Sequence, residues 1–430
     1  MRELNALVDL AMREGARAAE VMLRRSEGWR LTLPPGGKVK SSPTSSEELW
    51  VRVWVDNGRS GLQRGTLAQA EELVSQALAS TFESAEDPYA GPVERMGSLP
   101  TGLGILDRRH ERLELDDRVD ALKDVMRQAR ADSRFTPDPF TYEDARIHRA
   151  LANSRGVAFE EGASWFKLHG AVRGHGLFLE ESAESRAFAS IVSLPLGTRL
   201  LQRGEELLQD GQQLPDGPVR LVLPPRPMAR LLAVLGEHFT PDELADGSFF
   251  LQATGTTASV SNQLHVVDDG QLTGGLRTRA FDDRGSLPVP VMLLQEGVVA
   301  GRFLSPEKAR ALDTRATGHV YGEGLRANNL VMRGGTRSIN ALLTELGGPS
   351  LVVDDFPDLS GLDLKTGAFE ATVDGVVMAA NEPVGAMRGV TIRGNLHDLL
   401  SNVEQICNNA DRIGHVDAAS IIADGMELVG

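Results

Sequence analysis

The sequence predicts an α+β protein with a β-rich second half, and three observations carry that reading. Apolar residues recur at helical spacing through long stretches of the first half. Leu49, Val51, Val53 and Val55 alternate with Trp50, Arg52, Trp54 and Asp56, the period of a strand with one buried face. Glycine makes up 45 of 430 residues, above the usual share of about 7%, and it punctuates short apolar runs, so tight turns are many.

Taken in order, residues 3–16 form an amphipathic helix, with Leu4, Leu7, Val8, Ala11 and Met12 at helical spacing and Gly15 as its stop. Extended structure begins at Ala19, and the strand at 49–55 runs straight into Asn57-Gly58, a strong hairpin signal. Helices follow at 67–80 and 112–131, the second turning Leu113, Val119, Leu122, Val125 and Met126 inward. Strands are expected at 145–152, 156–161 and 164–172, then a helix at 194–208. Gln209 to Pro218 is turn-rich and poor in apolar residues, which makes it the linker and places the domain boundary there. Beyond it come a strand at 219–223 and a helix at 227–239 that opens on Pro227. Short strands are expected at 262–268, 289–295, 298–303, 329–333, 350–354, 368–373, 375–379 and 389–393. Helices are expected at 306–312, 338–346 and 395–406.

Composition narrows the function. A net charge of −15 with no basic patch argues against nucleic acid, because phosphate backbones repel such a surface. One cysteine, Cys407, excludes an internal disulfide and suits a reducing cytoplasm. The start, Met1-Arg2-Glu3-Leu4-Asn5, lacks a signal-peptide core, and no run approaches the ~18 apolar residues of a membrane span. The expectation is a cytoplasmic protein.

Most catalytic signatures are missing. Gly58-Arg59-Ser60-Gly61 is not a nucleophile elbow, and Pro34-Pro35-Gly36-Gly37-Lys38-Val39 is not a phosphate loop. Acidic pairs such as Glu180-Glu181, Asp268-Asp269, Asp282-Asp283 and Asp354-Asp355 read as turn or solvent residues, since neighbours on a strand face opposite ways. His110-Glu111 lacks a second histidine at the spacing of a zinc helix, with Glu114 and Leu115 there, so a surface histidine is the default. Cys407 reads first as a buried structural thiol. Exposed strand edges can accept a peptide as an added strand, although the same strands can simply close on one another.

Several short motifs, in order and spacing, resemble the TldD/TldE (PmbA) peptidase family. They are Leu49 to Gly61, Val267-Asp268-Asp269-Gly270, Gly274-Gly275, Phe281-Asp282-Asp283-Arg284-Gly285, Gln295 to Gly301, Thr366-Gly367-Ala368-Phe369 and Gly394-Asn395-Leu396. The sequence departs from the family at Ala316-Thr317-Gly318-His319-Val320-Tyr321 and at Asp283-Arg284-Gly285. The resemblance implies an N-terminal α/β-mixed domain with antiparallel strands and long helices over 1–210, and a C-terminal antiparallel, barrel-like β domain over 219–430. It also implies a zinc metallopeptidase built from two kinds of subunit. The TldD-type subunit carries a His-Glu-x-x-x-His helix, placed one strand and one helix into the second domain. Here that place reads Val234-Leu235-Gly236-Glu237-His238-Phe239-Thr240-Pro241. With Glu237 on the motif's glutamate, the ligand positions are Gly236 and Pro241, which carry no metal-binding side chain. The family's third ligand, a cysteine near the C-terminus, has only Cys407 as a counterpart.

The resemblance therefore implies a TldE/PmbA-type subunit: no metal and no catalytic residue of its own, zinc held by a TldD-like partner, and an unfolded peptide as substrate, in peptide maturation or antitoxin degradation. A homodimer of the lone chain is a further expectation. Two other functions stay open. One is a module that presents a precursor peptide to a maturation enzyme, and the other is a stand-alone peptidase with a site of scattered His and carboxylates.

Overall fold

The first half of the chain folds around strands far longer than their sequence signals. The computed structural model describes residues 1–95, 97–251 and 260–429. In order, the first half contains α1 (Arg2–Arg13), β1 (Ala18–Leu33), β2 (Lys40–Trp54), β3 (Ser60–Gly65), α2 (Ala70–Ser80), α3 (Leu115–Ala129), β4 (Thr136–Pro137), β5 (Phe140–Asn153), β6 (Ala158–Gly174), β7 (Leu177–Ser185), α4 (Phe188–Val192) and α5 (Leu196–Leu207). These strands make one antiparallel sheet in the order β3-β2-β1-β5-β6, with β4 and β7 both on β6. Asn57 and Gly58, in the turn between β2 and β3, both adopt positive φ, which explains the residue choice.

Alternation divides the sheet's two faces. Ala19, Val21, Leu23, Leu31 and Leu33 of β1 all point one way. At one end they pack under α1 and α2 with Val51, Val53, Leu73 and Val74. At the other they pack under α3 and α5 with Phe140, Tyr142, Phe166 and Leu122. The opposite face, through Met22, Leu151, Phe159 and Ala163, packs on Ala280 and Phe281 of the second half.

The second half contains β8 (Gly217–Leu223), α6 (Pro225–Gly236), α7 (Pro241–Asp246), β9 (Val266–Asp268), β10 (Val291–Gln295), β11 (Val298–Val299), α8 (Pro306–Ala311), β12 (Val320–Tyr321), β13 (Gly324–Leu325), β14 (Leu330–Met332), α9 (Ile339–Leu346), β15 (Pro349–Val353), β16 (Ala368–Ala379), β17 (Glu382–Asn395), α10 (Leu396–Ser401), β18 (Val403–Ile406), β19 (Asp411–Ile413), β20 (Val416–Ala418) and β21 (Ile421–Val429). One sheet runs β17-β16-β15-β8-β21 and closes through β17–β21 pairing, so these strands form a ring with β18 attached outside. A second sheet runs β11-β10-β9-β14-β20-β19. The helix α6 and the strands of both sheets share one apolar core that includes Leu221, Leu231, Leu235, Leu330, Val377 and Ile392. The fold is thus α+β, mostly antiparallel, with a curled sheet in its second half.

Several expected elements differ. The strands at 156–161 and 164–172 are one strand, because Gly162 stays in register opposite His148. Those at 368–373 and 375–379 are likewise one strand, bulged between Val373 and Gly375. The helix expected at 395–406 ends at Ser401, since Val403–Ile406 pairs with β21. The turn-rich segment from Gln209 is not loose: Gln212 N–H donates to Val384 O at 2.9 Å, and Ala386 N–H donates to Gln209 O at 3.1 Å.

Candidate functional site

The helix that the resemblance sets against the family's metal helix is α6, which Pro225 starts and whose Met228, Leu231, Leu232 and Leu235 are buried. Gly236 is the last residue of this helix. A Cβ there would meet Leu330 Cδ1, so a larger residue requires the Leu330 side chain on β14 to shift. The surroundings, Leu232, Leu235, Phe239, Leu264 and Val266 among them, enclose an apolar void of about 20 Å³. Glu237 turns away from that core. Its Oε1 accepts from Arg277 Nη1 at 2.7 Å and its Oε2 accepts from Ala327 N–H at 3.1 Å. Arg277 Nη1 also donates to Ala327 O at 2.8 Å. Pro241 begins α7, where Thr240 serves as N-cap, and His238 Nδ1 lies 2.7 Å from Glu243 Oε1.

These positions offer one carboxylate, already neutralised by a guanidinium, and no second side-chain donor. They do not fit a zinc ion, which takes several His, Cys or carboxylate ligands. Among the described residues, no three His, Cys, Asp or Glu side chains converge as such a site requires. Cys407 lies elsewhere, buried among Val222, Leu342, Leu343 and Ile422. Burial pushes its thiol up to about 11, so the metal-binding thiolate is disfavoured at neutral pH.

Sequence reasoning missed the polar centre beside α6. Of the acidic pairs that read as turn or solvent residues, Glu181, Asp268 and Asp282 are buried, Glu180 is exposed, and Asp269, Asp283, Asp354 and Asp355 are half-buried. Asp268 Oδ1 lies 2.8 Å from His319 Nε2, and its Oδ2 accepts from Asn328 N–H at 2.6 Å. His319 is fully buried, stacks on Phe303 at 4.1 Å, and places Nδ1 2.9 Å from Thr317 Oγ1. This Asp-His-Thr chain has the order of a nucleophilic relay, but Thr317 Oγ1 already accepts from Leu304 N–H at 2.8 Å and is buried. It holds three loops together. Asp282 does the same for the next loop, accepting from Arg284, Ser286 and Val320 N–H groups. Burial raises the carboxyls of both Asp268 and Asp282 above their usual range, against the pull of these partners. The signal was available, for both aspartates sit in motifs that carry the resemblance, but hydropathy gives no hint of a buried charge.

His110 also departs from its surface reading. It is buried against Phe166, with Nε2 3.5 Å from Asp144 Oδ1. Asp144 accepts from Arg118 Nε at 2.6 Å and from Tyr142 O–H at 2.8 Å. Burial opposes the Asp144 charge, but His110, Tyr142 and Arg118 together outweigh it and hold the carboxyl below its usual range. The group is a buried structural network in which His110 Nε2, at 3.5 Å from Asp144, makes no hydrogen bond.

Ion pairs tie the first sheet to the second half. Arg149 of β5 meets Glu161 and Asp283, each at 2.6 Å, and donates to Phe281 O at 3.1 Å. Arg284 reaches back to Glu20 of β1 at 3.0 Å and also to Glu307 at 2.9 Å. Arg203 of α5 bridges Glu181 and Asp354. Asp283 and Arg284 of the Phe281-Asp282-Asp283-Arg284-Gly285 motif therefore meet the first sheet at this seam.

The profile of the PmbA/TldA metallopeptidase C-terminal domain matches residues 216–430. The chain belongs to the PmbA/TldD metallopeptidase family. Within it, Metalloprotease PmbA of Escherichia coli O157:H7 is 24% identical over 192 residues, a match that spans 44% of this chain and 41% of that protein. This PmbA/TldD chain also has the fold of TldE from Thermococcus kodakarensis, at 16% identity, with both chains covered completely and a TM-score of 0.84. A candidate modulator of a DNA gyrase from Thermotoga maritima MSB8 shares the fold at 19% identity, over 100% of this chain and 99% of that one, with a TM-score of 0.88.

Proposed function

We propose that this chain is the non-metal subunit of a heterodimeric zinc metallopeptidase and that its partner is a TldD-like, metal-binding subunit. The observation that carries the reading is Glu237, which spends its charge on Arg277 between two positions, Gly236 and Pro241, that lack donors. A zinc ion held by the partner would supply Lewis-acid chemistry on the peptide carbonyl. This chain would supply a wall of the peptide chamber and a stable surface for the partner. The substrate is an unfolded peptide, as in peptide maturation or antitoxin degradation, and the single buried thiol suits a reducing cytoplasm.

The test is zinc content and peptide hydrolysis, measured on the chain alone and on the chain co-purified with a TldD-like protein from the same genome. Zinc and hydrolysis are expected only in the pair. Stoichiometric zinc with hydrolysis in the lone chain would overturn the proposal.

A further inference from the structure

A cavity of about 470 Å³ opens at the seam between the two halves, within the roughly 300–1,000 Å³ of small-ligand pockets. Val93, Leu287, Val289, Pro306, Ala309 and Ala316 give it apolar walls. The chain carries a net charge of −15, yet Arg155, Arg310 and Arg315 line this cavity against a single carboxylate, Glu94.

Two of these cations make no ion pair within 4 Å among the described residues. Arg310 donates to the carbonyls of Tyr89, Gly91 and Pro92, which fix its guanidinium in place, and the main opposing charge acting on it is Glu307, already paired with Arg284. Arg315 is exposed and makes no side-chain hydrogen bond or ion pair. Arg155 reaches Glu94 only at 3.6 Å. An independent feature lies in the wall: Ser286 is 7% exposed, and its buried Oγ has no hydrogen-bond partner. An unsatisfied buried hydroxyl is costly, and a ligand oxygen that reached it through a small shift of the wall would remove that cost. The backbone around it is rigid, because Asp282 holds the amides of Arg284 and Ser286.

We propose that this cavity binds the free carboxylate end of a peptide whose last residue is apolar. Such an end carries an anion and an apolar side chain on one carbon, matching cations beside an apolar wall. An internal Asp or Glu carries its charge on the side chain itself, so it cannot present a carboxylate and an apolar side chain on one carbon. The inference rests on the reading of the chain as a peptide-handling subunit.

The experiment uses the full chain and a fluorescent peptide ending in leucine, made with a free or an amidated C-terminus. The free form should bind roughly tenfold more tightly, the scale of a lost charge-assisted hydrogen bond. Arg315→Glu should abolish that difference while leaving the fold intact, since Arg315 has no partner to lose. Ala316→Trp, which fills the cavity, should weaken both forms. Equal binding of the two forms, or a preference that survives both substitutions, overturns the proposal. Octanoate binding as tightly as the peptide also overturns it, because the site would then belong to a small free acid. Failure here leaves zinc content and hydrolysis by the co-purified pair unchanged, whereas failure of the subunit reading appears in those two measurements.

Discussion

Single residues set the chemistry around α6. His415 is partly buried beside Arg277, and its Nε2 has no hydrogen-bond partner. Burial first, then the Arg277 charge, pushes its imidazole from 6.5 down to about 3. The folded state therefore keeps His415 neutral where the unfolded chain protonates it. This contribution to stability is complete above pH 6.5 and drains away as the pH falls toward about 3. His415→Gln should flatten that decline by up to ~1.4 kcal/mol per pH unit, read from denaturant unfolding across the window. Cys407 gives a second test. Fully buried and with its thiol pushed up to about 11, it should not react with a thiol reagent in the folded chain. One thiol per chain should appear on denaturation. Rapid modification of native protein would contradict the buried placement.

At the scale of elements, α6 shows why two substitutions would not restore a zinc helix. Gly236 faces Leu330 across close-packed apolar side chains. Gly236→His combined with Pro241→His should cost about 1–3 kcal/mol through overpacking and recruit no stoichiometric zinc, checked by unfolding and metal analysis. The helices were legible because their apolar residues repeat at 3.6, as in α1, α2, α3 and α5. Strand ends were not. Lys40 to Ser46 is polar and exposed, and it is extended only because β1 pairs with it residue by residue. The strands β7 and β21 went unread for a related reason. Glu180, Glu181, Glu184, Asp424 and Glu427 interrupt their apolar pattern, and neighbouring strands supply the ladder that local sequence does not announce.

Across the whole molecule, buried ion pairs join the two halves. Arg149 is the node to test, with side-chain exposure of 10%, against 7% for Glu161 and 15% for Asp283. Removing one partner of a buried pair strands the others, so Arg149→Met should cost about 3 kcal/mol, near the low end because Arg279 still faces Asp283. Arg17→Ala breaks an exposed pair, 73% and 76% accessible, and should cost less than about 1 kcal/mol. Equal losses in the two variants, by denaturant unfolding, would mean the seam is held by apolar packing through Met22, Phe159 and Phe281 instead. Among the described residues, no helix is long and apolar enough to cross a membrane.

The sequence by itself determined the fold class, the positions of the long helices and the family motifs. Periodicity and turn chemistry are local properties, and the motifs keep their order along the chain. It also showed that Gly236 and Pro241 have no donor side chains, because residue identity alone decides that. Only the tertiary structure decided what Glu237 does, since Arg277 lies far along the chain and reaches it only after loops fold over α6. The same holds for Asp268, Asp282 and His319. Whether a charged side chain ends in solvent or in a buried network depends on partners that the chain brings together only when folded.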